Sequence, residues 1–162
     1  MTKLTTVFAA LATVLVGPSA HAAELTEGQA RSIVAPFYDA LNQPATKDLK
    51  SLFDKATSSD WVSCSTNEGC FPRDRVIGAF KKRGEDVPDL TWTIKEVLVS
   101  GNRVIVRGEG SGTPKANFLG VNPTGKAFNV MSIDVHTIEN DKMVRSYHLE
   151  DWAGAVRQLT AQ

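Results

Sequence analysis

The chain has 162 residues, 42% hydrophobic and 22% charged, with a formal net charge of zero. That balance suits one globular domain of ordinary composition. The absence of a basic excess or a Lys/Arg-rich run excludes an electrostatic footprint for nucleic acid and leaves a small molecule or another protein as the partner.

Residues 1–22 carry the pattern of an export signal. Lys3 precedes an apolar run from Leu4 to Val16, Gly17-Pro18 breaks it, and Ala20-His21-Ala22 is a small-x-small cleavage site. The run is too short to span a bilayer comfortably, so an uncleaved anchor is the lesser alternative. The expectation is a domain over 23–162, exported to the periplasm or secreted, with no membrane attachment once the leader is removed. The two cysteines, Cys64 and Cys70 in CSTNEGC, then read as one disulfide closing a polar loop, with two free core thiols as the alternative. The spacing is not C-x-x-C, and two cysteines alone do not make a structural zinc site.

Thr26-Glu27-Gly28-Gln29 has the form of a capping box, and Ile33, Val34, Phe37, Ala40 and Leu41 follow at helical spacing. Pro36 predicts a kink or a break into two short helices. Asn42-Gln43-Pro44 ends that segment. Thr46 is placed to cap a second short helix with Leu49, Leu52 and Phe53 on its buried stripe. DWVSC, 60–64, predicts a short strand. Pro72 stands where the first turn of a helix tolerates proline, Val76, Ile77 and Phe80 form that helix's apolar face, and Gly84 is a plausible stop.

From Leu90 the period becomes that of strands: LTWTIKEVLVS, RVIVRGEGSG, KAFNVMSIDVHTIE and KMVRSYHLED alternate and are rich in β-branched residues. Ser100-Gly101-Asn102 and Glu139-Asn140-Asp141 predict hairpin turns. Thr113 to Gly125, with two prolines and two glycines, predicts a loop over a pocket. A short helix over 152–159 closes the chain. Helices followed by an antiparallel meander give an α+β fold.

FYDALN, PDLTWTIKEVLVSGNRVIVRGEGSGT and FLGVNPTGKAFNVMSIDVHTIENDKMVRSYHLEDWAGAVRQL resemble the SnoaL-like branch of the NTF2-like superfamily, over about Thr26 to Leu159. The loop FLGVNPTGK and the hairpin around TIENDKMV are the most specific parts. The resemblance implies a cone: a curved antiparallel sheet wrapped around helices, with an apolar internal cavity. It also implies a homodimer through the outer sheet face. In the polyketide cyclases of that group, a carboxylate on the last strand is the acid–base group. Laid on this chain, that carboxylate falls on His148 and a second aspartate of the pattern on Asp151. The departure at His148 weakens direct transfer of cyclase activity without touching the fold.

Strand parity puts Val144, Ser146, His148 and Glu150 on one face of the last strand, and Phe128, Val130, Ser132, Asp134, His136 and Ile138 on one face of the strand before it. If the hairpin pairs even with even, Ser132, Asp134, His148 and Glu150 share a patch; a slip by one residue scatters them. The functional reading makes His148 a general base whose ring N–H Asp134 accepts. The pair would act on a carbonyl compound by cyclisation or isomerisation. The bland reading makes His148 the hydrogen-bonded trim of a strand end. A metal site from His136, His148, Asp134 and Glu150 is a weaker alternative.

Tyr38, Trp61, Trp92 and Phe118 are further candidates for the pocket wall, although large aromatics more often fill a core. Arg107 and Glu109 read as a surface cross-strand pair. No cofactor fingerprint is present, and the proposed chemistry needs none. Three functions remain open: an enzyme using His148 and Asp134, a non-catalytic binder of an apolar small molecule, and an interaction module with a filled cone.

Overall fold

The computed structural model describes residues 25–161. The leader expected over 1–22 and the start of the mature chain at Ala23 lie outside the described residues. Helix α1 (Glu27–Ala40) opens on the expected capping box, Thr26 accepting from Gln29 N while the Gln29 side chain accepts from Thr26 N. It runs unbroken through Pro36, so of the expected kink or break the break does not occur. Proline removes a single backbone donor, and buried Phe37, Tyr38 and Ala40 beyond it hold the last turn on the core. Asn42 then ties the helix end to the first strand of the meander: its amide donates to Tyr38 O and Trp92 O and accepts from Trp92 N.

Pro44–Thr46 form a 3-10 turn, and Asp48, not Thr46, caps α2 (Leu49–Ala56) by accepting from Ser51 N. Strand β1 (Thr57–Cys64) begins three residues earlier than expected, and β2 (Cys70–Pro72) pairs antiparallel with it. Cys64 and Cys70 face each other in that register and form the disulfide, with Cα atoms 4.1 Å apart. Helix α3 (Arg73–Asp86) passes Gly84 without stopping. A Cβ there would meet the backbone of Ala45 and lie 2.8 Å from Pro44 Cγ, so glycine serves helix-to-turn contact rather than termination.

Strands β3 (Thr91–Ser100), β4 (Arg103–Gly112), β5 (Phe128–Glu139) and β6 (Lys142–Glu150) form the expected meander, and α4 (Trp152–Thr160) closes the described chain. The six-stranded sheet has the order β2-β1-β6-β5-β4-β3 and does not close on itself. One pairing departs from the all-antiparallel expectation: β1 runs parallel to β6. Helices α1 to α3 fill the concave side, giving the α+β cone. The β5–β6 pairing is even with even from Ser132↔Glu150 through His136↔Ser146. A bulge at Val144 then shifts the register, so Met143 is the buried residue and Val144 is only half-buried, reversing the parity expected at that end.

Two aromatic clusters pack inside the cone. Phe37 is the centre of one, meeting Tyr38, Phe53, Trp61, Phe80 and His136 at 5.5–5.8 Å between ring centroids. Phe118, Phe128, Trp92 and Trp152 form the other. The RGEGSG run explains where Trp92 lies. Gly108 and Gly110 occupy one face of β4, and Trp92, the cross-strand partner of Gly110, lays its indole across both. A Cβ on Gly110 would sit 2.6 Å from Trp92 Cε3 and 2.7 Å from Cη2. The Gly110→Ala variant is expected to displace the indole, lose about 1–3 kcal/mol of stability through overpacking and alter the near-UV circular dichroism. Unchanged denaturant midpoint and spectrum would show that the indole has room.

Candidate functional site

A cavity of about 510 Å³ lies between the two aromatic clusters. Phe37 and Phe80 supply one apolar wall, Trp92 and Trp152 another, and Asp134, Ser146, His148 and Glu150 from β5 and β6 a polar one. A cavity of this size fits a small organic ligand. A hollow of this size does not match the filled cone of the third alternative. Its wall is also more charged than the expected apolar hollow, because Arg75 and Arg83 of α3 line it too.

Asp134 is 6% exposed, and its cross-strand partner is His148. The hydrogen bond expected between them is not what holds either group. Tyr38 Oη donates to Asp134 Oδ2 at 2.9 Å, and Ser132 Oγ donates to the same oxygen at 3.5 Å. His148 Nδ1 instead donates to the Glu150 carboxylate, 3.0 and 3.1 Å from its two oxygens. The reason is local: residues two apart on a strand lie on one face, so Glu150 reaches the ring without crossing between strands.

Behind Asp134 the donors form a single directed series. Trp61 Nε1–H can only donate, and it does so to Ser146 Oγ at 3.0 Å. Ser146 Oγ lies 2.7 Å from His136 Nδ1, and His136 Nε2 lies 3.1 Å from Tyr38 Oη. His136 is fully buried, and burial lowers its pKa to about 3, so the ring is neutral. The one hydroxyl proton of Tyr38 goes to Asp134, so Nε2 must carry the imidazole proton and Nδ1 must accept from Ser146. Every proton therefore points toward Asp134. A second, shorter series ends at the same oxygen: Trp92 Nε1 donates to Ser132 Oγ at 3.2 Å, and Ser132 to Asp134.

The electrostatics follow from this placement. Burial raises the Asp134 carboxyl to about 7, and Glu150 adds to the rise; the bonds from Tyr38 and Ser132 and the nearby His148 oppose it. His148 moves upward too, chiefly through its bond to Glu150, with burial opposing. Burial together with the Asp134 charge holds Tyr38 well above its usual range, so it stays a donor. The wall thus sets a carboxyl that titrates near 7 opposite an imidazole whose bond to Glu150 favours its protonated form.

The candidate residues separate accordingly. Asp134, His148, Glu150 and Trp92 line the cavity. Tyr38, Trp61 and Ser132 are buried behind the wall, where their polar tips serve the bonds to Asp134 rather than a ligand. Phe118 stacks on Phe128 at the end of the core, so the 113–125 loop covers aromatic packing rather than the cavity mouth. Arg107 pairs with Glu96, and Glu109 with Lys95. Asp151 caps α4 through Gly154 N. Among the described residues no three His, Cys, Asp or Glu side chains group as a metal site. Sequence reasoning missed the roles of Ser146, Arg75 and Arg83, and gave His136 only as a metal ligand. Parity already placed His136 and Ser146 on the inner face; nothing local marked the arginines.

The ionisation of Asp134 has a measurable consequence. Its folded-state pKa lies above the unfolded value, so its contribution to stability is complete below about pH 4 and is lost as pH rises toward 7. The difference in unfolding free energy between the native chain and Asp134→Asn is expected to fall across that window by a few kcal/mol, on the order of three pKa units. His136 acts in the opposite sense, losing stability as pH falls from 6.5, but it is common to both proteins and cancels. A pH-independent difference in denaturant titrations would remove the raised carboxyl.

The family model described as SnoaL-like polyketide cyclase matches residues 32–159. No curated protein matches the chain. Among solved structures, a candidate SnoaL-like polyketide cyclase from Jannaschia sp. CCS1 superposes with a TM-score of 0.72 at 19% identity, covering 84% of this chain and 94% of the other. TsrD from Streptomyces laurentii gives 0.72 at 22% identity, covering 86% and 100%. IdmH from Streptomyces antibioticus, a candidate polyketide cyclase, gives 0.69 at 23%, covering 81% and 98%. At such identities these likenesses concern the fold.

Proposed function

The chain belongs to the SnoaL-like polyketide cyclase family, and from that premise we propose that its cavity binds an aromatic or polyketone carbonyl compound and moves a proton on it by acid–base catalysis. One observation carries the reading. A buried carboxyl with a pKa of about 7, fixed from behind through Tyr38 and Ser132, faces a cavity it shares with the His148–Glu150 pair. General acid–base catalysis works best when the group's pKa lies near the working pH.

The division of labour differs from the sequence expectation. Asp134 is the base. Its Oδ2 is occupied by two donors, so Oδ1 takes the proton from a carbon next to the substrate carbonyl. The carbonyl oxygen gains the electron pair as an enolate, and the His148 imidazolium, kept charged by Glu150, donates its Nε2–H to that oxygen. In a cyclisation the enolate carbon then attacks a second carbonyl of the same molecule. A carbon–carbon bond forms, and the new alkoxide takes back the proton held by Asp134. In an isomerisation the proton returns to another carbon. Neither route needs a redox partner.

The test is deuterium uptake at the α-carbon of an aryl ketone such as 2-tetralone, followed by NMR in D2O. Asp134→Asn is expected to lower the exchange rate by about 10²- to 10⁴-fold, the usual size of a general-base contribution, while ketone affinity changes little. The pH profile should be a bell, rising near 7 as Asp134 ionises and falling as His148 loses its proton. Glu150→Gln should pull the falling limb to lower pH. Binding without accelerated exchange would favour the non-catalytic reading.

Two further proposals concern the setting. The outer sheet face exposes Met131 (56%) and Ile133 (38%) beside half-buried Val135 and Tyr147, an apolar patch suited to a second copy of the chain. We also propose export, which the leader pattern over 1–22 and the disulfide support. Among the described residues no helix is long and apolar enough to cross a membrane. Protein expressed with its leader and recovered from the exported fraction should begin at Ala23 by mass spectrometry and sediment as a dimer. Met131→Glu should sediment as a monomer. A full-length cytoplasmic product, or a monomeric native chain, would count against these two proposals respectively.

A further inference from the structure

Helix α3 places two guanidinium groups on the cavity wall that the acid–base scheme does not use. Arg75, Ala79 and Arg83 follow one another at four-residue spacing, so all three share a helix face, and all three line the cavity. The two arginines stand about two helical turns, ~12 Å, apart. Arg83 is the deeper. Its guanidinium lies 4.7 Å from the Trp152 ring centroid and 5.9 Å from that of Phe118. Arg75 lies at the more exposed end, 3.9 Å over Phe71. Among the described residues neither arginine has an ion-pair partner. The nearest acids are committed elsewhere, Asp86 to Lys82 and Glu150 to His148.

The charges around the cavity do not balance. His148 and Glu150 offset each other. Two guanidiniums then remain against a single carboxyl that is half-protonated near neutrality. Stacking on aromatic rings compensates a buried guanidinium only in part. A planar carboxylate can meet the guanidinium N–H groups with two parallel, charge-assisted bonds.

We infer that the ligand is an anion: an aromatic or polyketone skeleton bearing a carboxylate, which docks on Arg83 while the carbonyl end faces Asp134 and His148. Arg75, near the more exposed end, draws the same charge toward the cavity. The skeleton lies between Phe37 and Phe80 on one side and Trp92 and Trp152 on the other. The inference rests on the small-molecule reading of the cavity, and it narrows the substrate to acids.

A matched pair of probes tests it: 2-naphthoate and its uncharged near-isostere 2-naphthamide, titrated calorimetrically at low and high salt. The native chain is expected to bind the naphthoate at least about tenfold more tightly, the discrimination a charge-assisted hydrogen bond gives. The preference should shrink with salt. Arg83→Gln should abolish it, bringing naphthoate affinity down to that of naphthamide for the same variant. Arg83→Lys, which keeps the charge and loses the fork, should retain part of it. Arg75→Gln, at an exposed position, should weaken naphthoate alone and slow its association. Equal affinity of the native chain for both probes would overturn the inference and leave the acid–base proposal standing, to be judged by deuterium exchange. Failure of naphthoate to bind, with or without naphthamide, would overturn the inference, and absent ketone binding would then remove the small-molecule reading with it. Should Arg83→Gln not fold, the native preference, its salt dependence and the Arg75→Gln result decide.

Discussion

The bond from Tyr38 to Asp134 is the constraint around which the interior is organised. A carboxyl brought out of water raises its own pKa or finds donors. Here it does both. Burial lifts Asp134 to about 7, and two series of hydrogen bonds, each starting at an indole N–H, converge on one of its oxygens. The Tyr38 proton is committed to Asp134 and the two indoles can only donate, so the protons in between all point toward the carboxyl. His136 is held in one tautomer as a result, and Tyr38 has its proton committed. A fully satisfied buried network of this kind specifies a single arrangement of the side chains that compose it.

That arrangement depends on backbone features some distance from the carboxyl. Trp92 reaches Ser132 because β4 presents glycine at 108 and 110 and so lets the indole lie flat across the strand. Tyr38 reaches Asp134 because α1 does not break at Pro36, and because Asn42 pins the end of that helix to β3. Trp61 reaches Ser146 because β1 runs parallel to β6 beside it. Each of these contacts joins an element of the helical half to an element of the meander or crosses between strands. The site is therefore a property of the assembled cone and of no single segment.

The replacement of a last-strand carboxylate by His148 gains a physical sense in this setting. Two carboxyls facing each other across β5 and β6 would each raise the other's pKa. With histidine at 148, held by Glu150 and facing Asp134, the wall carries opposite charges and can both accept and donate a proton. Glu150 offsets the charge on His148, so the unpaired positive groups on the wall are Arg75 and Arg83. The cavity thus has apolar flanks and two arginines on one wall, the combination from which an acidic ligand is inferred.

The amino-acid order by itself determined the α+β class, the meander with its two tight hairpins, the cysteine pair and the inward face of β5. Those features depend on contacts between near neighbours, on two-residue alternation and on turn chemistry, all of which are local. Parity put Ser132, Asp134, His148 and Glu150 on one patch only on condition that the strands pair even with even, and it is the bulge at Val144, not the turn with its Ile138↔Met143 pairing, that brings that register about. Only the tertiary structure decided which of those groups bond to one another. It gave Asp134 to Tyr38, 96 residues away, gave His148 to Glu150, and turned α3 so that Arg75 and Arg83 face the same hollow. Partner choice among buried polar groups depends on distances between segments far apart in the chain, and no local pattern carries that information.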